Sequence, residues 1–327
     1  MTFEQIFTIL KEAKKQYKQN NMKEIISDKV TWIDIVAPRE QELEALQKEL
    51  GLPNSLLDEL RVPSLRDKVK IYDKFIYTVL YFPIWNEEKK TSEPAELDLV
   101  MNEKYLISIR YDGRLQPINE LMKKCESLTK TGCNTLLGDA TYKTLYVIME
   151  ELLDFSDRQL KHIEGKLVKI EERIFCKDQG DGLIYEAMNV KRDIIDFRRI
   201  FMSLHSCLDA IEFRGEYFWG AHAKAYLLDL HHDNDRVWGS LQHHSELLDS
   251  LETTMYTLID NKINNLSKVF TVLSFVTWPG VMLFAWYQTG MLGLPFMQLP
   301  WGAYALFVAG MIPSILIYKY LKKRRLI

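Results

Sequence analysis

The sequence predicts an α+β membrane protein: an N-terminal cytoplasmic α/β domain, then long helices, the last a stalk continuous with the first of two C-terminal transmembrane helices. Three observations predict it. Between Lys268 and Lys319, fifty consecutive residues carry no Lys, Arg, Asp, Glu or His, although 27% of all 327 residues are Asp, Glu, Lys or Arg. Strand-like alternation with turn residues is confined to the first 140 residues, and helical periodicity dominates from Tyr142 onward.

The first 140 residues (1–140) open with Met1 to Lys18, whose apolar positions Phe3, Ile6, Phe7, Leu10, Ala13 and Tyr17 fall largely on one helical face. The apolar stretch Ile6–Leu10 is too short for a secretory signal. Val30 to Val36 alternates as a strand and ends before Pro38. Glu40 to Leu50 is helical with Gly51 as its stop. Val69 to Phe82 gives two strands turning near Asp73-Lys74, and Glu96 to Met101 with Tyr105 to Arg110 gives another pair.

Residues 141–220 predict two antiparallel helices broken at Gly180-Asp181-Gly182, with the second resuming from Leu183 to Ala210. After Gly215 and Gly220 a helix begins near Ala221 and runs through residue 287. Val237, Leu241, His244, Leu248, Leu251, Met255 and Leu258 step by four and three along it, the seam of helices packed lengthwise.

The membrane part of that helix is 269–287, nineteen uncharged residues or about 28 Å of helix. Residues 288–300 hold Gly290, Gly293, Pro295 and Pro300, a turn-rich extracytoplasmic loop, and 301–318 form the second span. The basic tail 319–327 carries Lys319, Lys322, Lys323, Arg324 and Arg325. A buried hairpin of a soluble protein is the competing reading. Basic residues flank both outer ends and the loop has none, so both termini are expected on the cytoplasmic side of an inner or plasma membrane. The remainder of the chain carries 37 basic residues against all 45 acidic ones, a balance of −8 that disfavours nucleic acid as a partner.

A second seam is polar. Thr253, Thr257, Asp260, Asn264, Ser267, Thr271 and Ser274, then Trp278, share one face that continues into the uncharged span. Polar groups facing hydrocarbon are costly, which favours burial against other helices or water. Ser and Thr bonding back to their own helix carbonyls is the alternative. Two helices cannot enclose a pore, so a pore-lining stripe requires a ring-shaped homo-oligomer.

These segments together resemble the CorA family of magnesium transporters. The likeness is carried by Lys268-Val269-Phe270-Thr271-Val272, Pro279 and Tyr287, by Tyr226-Leu227-Leu228-Asp229, and by Thr31-Trp32-Ile33-Asp34, Gly51-Leu52, Leu57-Asp58-Glu59 and Lys68-Val69-Lys70-Ile71-Tyr72. The resemblance implies a pentameric channel-like transporter for Mg²⁺ or another divalent cation such as Zn²⁺, Co²⁺ or Ni²⁺, closed by cytoplasmic metal binding. It implies pore roles for Asn264 and its stripe, apolar gates at Phe270 and Trp278, and an intersubunit regulatory metal site of Asp229 with Asp58 or Glu59. The family signature Gly-Met-Asn follows the Tyr. Here Gln288-Thr289-Gly290 stand in its place as the outer mouth, and Gln288 to Pro300 holds no acidic residue. The rival is a non-conducting or weakly selective membrane scaffold or sensor of the same fold.

The pairs His231-His232 and His243-His244 read as solvated helix surface, because adjacent side chains diverge by about 100° on a helix. Cys125, Cys133, Cys176 and Cys207 show no paired spacing and read as reduced thiols. No Gly-rich phosphate loop, nucleophile elbow or HExxH motif is present, so an enzyme and an organic cofactor are not expected.

Overall fold

The computed structural model describes residues 21–64, 66–176, 181–288 and 301–323. The expected N-terminal helix, the loop residues 289–300, with Thr289 and Gly290 of the outer mouth, and the end of the tail lie outside the described residues. The chain divides into two compact units, Met1–Asp249 and Ser250–Ile327.

In the first unit six strands form one sheet: β1 (Met22–Ile26), β2 (Thr31–Val36), β3 (Lys68–Tyr72), β4 (Phe75–Asn86), β5 (Thr91–Met101) and β6 (Tyr105–Arg110), in the order β1-β2-β6-β5-β4-β3. Only β2 and β6 run parallel. Tyr72 pairs with Phe75, so β3 and β4 turn at Asp73-Lys74 as expected, with Asp73 at φ 46°. Helices α1 (Glu40–Leu50) and α2 (Asn54–Leu60) cover one face. Their Leu43, Leu46, Leu56, Leu57 and Leu60 pack on Ile33, Ile35, Tyr77, Val79, Val100, Ile107 and Ile109. Each such fully buried side chain contributes about 1.5–3 kcal/mol. Gly51 ends α1 in the left-handed conformation, φ 71°, its N–H donating to Gln47 O, where any side chain would be strained.

Beneath the core, Asp34 of β2 and Arg110 of β6 form an ion pair that is 1% exposed on each side. Ser108 Oγ donates to Asp34 at 2.7 Å, Trp32 Nε1 donates to Ser108 at 3.0 Å, and the Arg110 guanidinium also donates to Leu115 O and Asn119.

Helices α3 (Gln116–Ser127) and α4 (Lys130–Leu137) follow, then α5 (Thr141–Phe175), which packs on β4 and β6, and α6 (Asp181–Trp219), which packs along β4 and β5. Helix α6 continues past the expected end at Ala210 and through Gly215; the break is Gly220, at φ 80°. Gly215 serves packing instead, since a Cβ there would stand 2.7 Å from Leu227 Cδ1 and 3.1 Å from the Trp219 ring.

Helix α7 (Ala221–Gln288) gives its turns up to Asp249 to the first unit and the rest to the second, which also contains α8 (Gly302–Lys323). Of the apolar seam, Val237, Leu241, His244, Leu248, Leu251 and Met255 are buried and Leu258, at its end, is half-buried. From Asp260 to Phe270 every residue is exposed. Val269, Leu273, Phe275, Val281 and Met282 of α7 are exposed too, as are Val308, Ile312 and Leu316 of α8. Among the described residues one helix, within Ala221–Leu283, is long and apolar enough to cross a membrane, and none of that apolar window is buried. Within the second unit α7 and α8 approach closely at two glycines: a Cβ on Gly310 would lie 3.1 Å from Leu283 Cδ1 and 3.4 Å from Gly280 Cα. Small residues are what permit such helix contacts in lipid.

Candidate functional site

Helix α2 carries two adjacent carboxylates with different fates. Asp58 faces solvent and pairs with Arg61 one turn on. Glu59 turns toward β3, where Lys68 Nζ lies 2.5 Å from Oε2, Lys70 Nζ donates to Oε1 at 2.6 Å and Tyr72 OH donates to the same oxygen. Burial works against its charge, yet the donors from Lys68, Lys70 and Tyr72 hold the Glu59 carboxyl down at about 2. The segment Lys68–Tyr72 thus serves Glu59 as a ready cationic wall.

Asp229 is exposed on α7 and accepts from Tyr146 OH of α5 at 2.8 Å. Burial, then this hydrogen bond, raises the Tyr146 phenol. Tyr146 also lies within 3.4 Å of Glu150 Oε1, and Tyr226 packs edge-on against its ring at 5.4 Å. Burial, aided by Asp154 and Asp233, raises Glu150. Arg236 is the cation paired with both of those Asp residues, at 3.7 and 3.2 Å. Asp229 is thus followed along α5 and α7 by Glu150 and Asp233 and, beyond them, Asp154, a row of acids with Arg236 among them. Sequence reasoning missed Glu150 and Asp154; their only signal is the four-residue spacing on a helix whose apolar face points elsewhere. No described hydrogen bond or ion pair within the chain joins Asp229 to Asp58 or Glu59.

In the second unit Thr257, Asp260, Asn264, Ser267, Thr271 and Ser274 are all exposed along α7, as are Phe270 and Trp278. Thr257, Thr271 and Ser274 donate to the carbonyls of Thr253, Ser267 and Phe270 at 2.8–2.9 Å. Three hydroxyls are thereby satisfied by their own helix, the alternative reading of the stripe. Asp260, Asn264 and Ser267 lie between them on the same face. Gln288 is exposed at the last position of α7.

A model of the family described as "CorA-like Mg2+ transporter protein" matches residues 27–323. The chain belongs to the CorA family. The cobalt/magnesium transport protein CorA of Methanocaldococcus jannaschii is 21% identical over 310 residues, covering 90% of each chain. The complete structure of the CorA magnesium transporter from that organism superposes with a TM-score of 0.73 at 18% identity, over 90% of this chain and 92% of that one. The cytoplasmic domain of ZntB from Vibrio parahaemolyticus gives a TM-score of 0.58 at 14% identity, over 74% of this chain and 99% of that one. This CorA-like chain is thus a membrane protein of a metal-ion transporter family, built on the CorA fold.

Two histidines of this CorA-like chain depart from the solvated surface expected. His244 is 6% exposed within the apolar seam, and burial lowers its pKa. His231 places Nδ1 3.2 Å from Asp209 and Nε2 3.5 Å from Asp235, beside the ring of His205. His244 lies on the seam and His231, before it on the same helix, is half-buried, whereas His232 and His243 are exposed. Among the described residues no group of three or more His, Cys, Asp or Glu is placed to hold a metal ion.

Proposed function

We propose that this chain assembles as a homo-oligomer, a pentamer by its family, that conducts a divalent cation across the inner or plasma membrane through a pore lined by α7. Both membrane helices belong to 269–287 and 301–318, and both termini lie on the cytoplasmic side. The observation that carries the reading is the face of α7 from Thr257 to Ser274: polar, exposed along its length, and continuous with a stretch too apolar for water. Such a face, where it continues into the apolar stretch, is favoured against other copies or in contact with pore water.

In this reading Asn264 and Asp260 hold the cation's hydration shell, with Thr257, Ser267, Thr271 and Ser274 completing the wall. Phe270 and Trp278 form apolar constrictions that close the pore by excluding water. At the outer mouth Gln288, Thr289 and Gly290 offer amide and carbonyl oxygens in place of an Asn. The regulatory metal lies between subunits, at Asp229 of one and Asp58 or Glu59 of the next. Support for Asp229 is the row of acids, Glu150, Asp233 and Asp154, that follows it; Glu59 would first have to leave Lys68 and Lys70. Hard carboxylate oxygens suit Mg²⁺ and its relatives.

The test is uptake of Mg²⁺, Co²⁺, Ni²⁺ and Zn²⁺ into liposomes holding the purified protein. At least one ion should enter, and Asn264→Ala should cut that flux about tenfold or more, as for loss of about 1.4 kcal/mol of ion stabilisation. A second reading, a non-conducting scaffold or sensor, is favoured by the altered outer mouth. It predicts no flux of any of the four ions, with metal still binding to the cytoplasmic unit.

A further inference from the structure

The sheet floor under α2 holds a pair of acids that the cation pathway does not use. Glu96 and Asp98 are two apart on β5 and so point to one face. Their neighbours across the ladder are Tyr81 and Val79 on β4, with Ile109 of β6 beside Asp98. That face is the apolar core packed by α1 and α2. Asp98 is wholly buried there. Its Oδ2 accepts from Tyr77 OH at 2.8 Å and Tyr111 OH at 3.1 Å. Its Oδ1 is buried with no hydrogen-bond partner, and the Glu96 carboxyl, two residues back on the same face of the strand, is close enough for its charge to act on Asp98. Two ionised carboxylates are acceptors only, and their contact is repulsive until a proton lies between them.

The surroundings supply no positive charge to replace that proton. From β3, Lys68 reaches toward Glu96 but is committed to Glu59, and its ammonium lies over the Tyr77 ring at 5.3 Å. Asp67 adds a further negative charge near Tyr81. From α6, Cys207 contacts Asp67 at 3.6 Å, with burial pushing its thiol up to about 12, and Arg214 is spent on Val69 O. From β4 and the end of β6 come Tyr77, Tyr81 and Tyr111, each phenol raised first by burial. Among the described residues neither Glu96 nor Asp98 has an ion-pair partner.

The same acids fasten a segment of chain. Ser64 N donates to Glu96 Oε1 at 2.6 Å, Tyr81 OH lies against both Ser64 O and Glu96, and Tyr111 OH reaches Leu60 O at 3.2 Å. We propose that Glu96 and Asp98 form a proton-binding site in the buried floor under α2, one proton shared by the two carboxyls. Burial, then the charge of Glu96, pushes Asp98 up to about 8, and burial raises Glu96. The site is therefore loaded at neutral pH and empties to water as the pH rises past about 8. Two like charges then share one buried floor. The device works whether or not the chain conducts.

Infrared spectroscopy of the full-length protein in detergent reads the proton directly, through the carbonyl stretch of a protonated carboxylic acid. The wild type should show this band at pH 7 and lose it with a midpoint near pH 8. Asp98→Asn should remove the titrating band, because the amide can donate to Glu96; Glu96→Gln should do the same and serves if the first variant fails to fold. A wild type with no acid band at pH 6 overturns the proposal, as does a band that persists in both variants. Loss of the band on adding Mg²⁺ at pH 7 also overturns it, since the pair would then hold a cation.

Discussion

Replacing Asp34 with Ala should cost the first unit about 3–5 kcal/mol, the penalty for stranding a buried charge. The structure sets this near the upper end. Arg110 is 1% exposed and would keep only Leu115 O and Asn119 as partners, while Ser108 Oγ would lose its acceptor and Trp32 the anchored hydroxyl it donates to. Against a typical total of about 5–15 kcal/mol, that is a third or more of the stability. The assay is urea denaturation of full-length protein in mild detergent, followed by tryptophan fluorescence, for which Trp32 is an internal reporter. A double variant, Asp34→Leu with Arg110→Met, removes both charges and should recover most of the loss, since apolar replacements of a buried pair are often neutral. A single-variant cost under about 1 kcal/mol, or a double variant as damaged as the single one, would refute the assignment of this pair as a buried, mutually dependent unit.

Two further outcomes follow from side chains already placed. Gly215→Ala gains about 1 kcal/mol of helix propensity but should still lower the thermal midpoint, because overpacking at 2.7 Å from Leu227 costs about 1–3 kcal/mol; a stabilised variant would contradict the packing role. Glu59 is held near 2 against an ordinary 4.5, so the unfolded chain binds the extra proton between those values; its contribution is present at neutral pH and is lost as the pH falls from about 4.5 to about 2. Glu59→Gln should therefore flatten the acid limb of the stability profile, and an unchanged limb would argue against the Lys68–Lys70–Tyr72 enclosure.

Much of the fold was legible because its signals are local. Gly51, the Asp73-Lys74 turn and the apolar seam of α7 each sit where elementary stereochemistry requires them. Strand β1 escaped because Met22-Lys23-Glu24-Ile25-Ile26 is an edge strand with charges in it, the composition that protects an edge and hides a strand. Strand β5 begins at Thr91, earlier than Glu96, since Glu93-Pro94 reads as loop while Pro94 lies opposite Pro83, where neither can donate a ladder bond. The acids of β5 show the deeper limit. Alternation says that Glu96 and Asp98 share a face, but not which face is wet, and this one is covered by α2. Of the candidate site, the sequence located Asp229 and the polar stripe as helical positions; its hydrogen-bond partner Tyr146 comes from α5, 83 residues earlier, a distance no periodicity spans.

The Asp34–Arg110 pair also bears on the order in which the molecule can be made. It links the only parallel strands of the sheet across 76 residues, and Ser108 bridges the same strands across 74. A nascent chain that has emerged as far as α2 has an acid with no cation and two strands, β1 and β2, with no central neighbour. Pairing over such separations is slow, because the loop must close before the contact rewards it. The half-made sheet must therefore wait on the ribosome until residue 110 is free. The synthesis of β6 is then the event that commits the first unit to its fold.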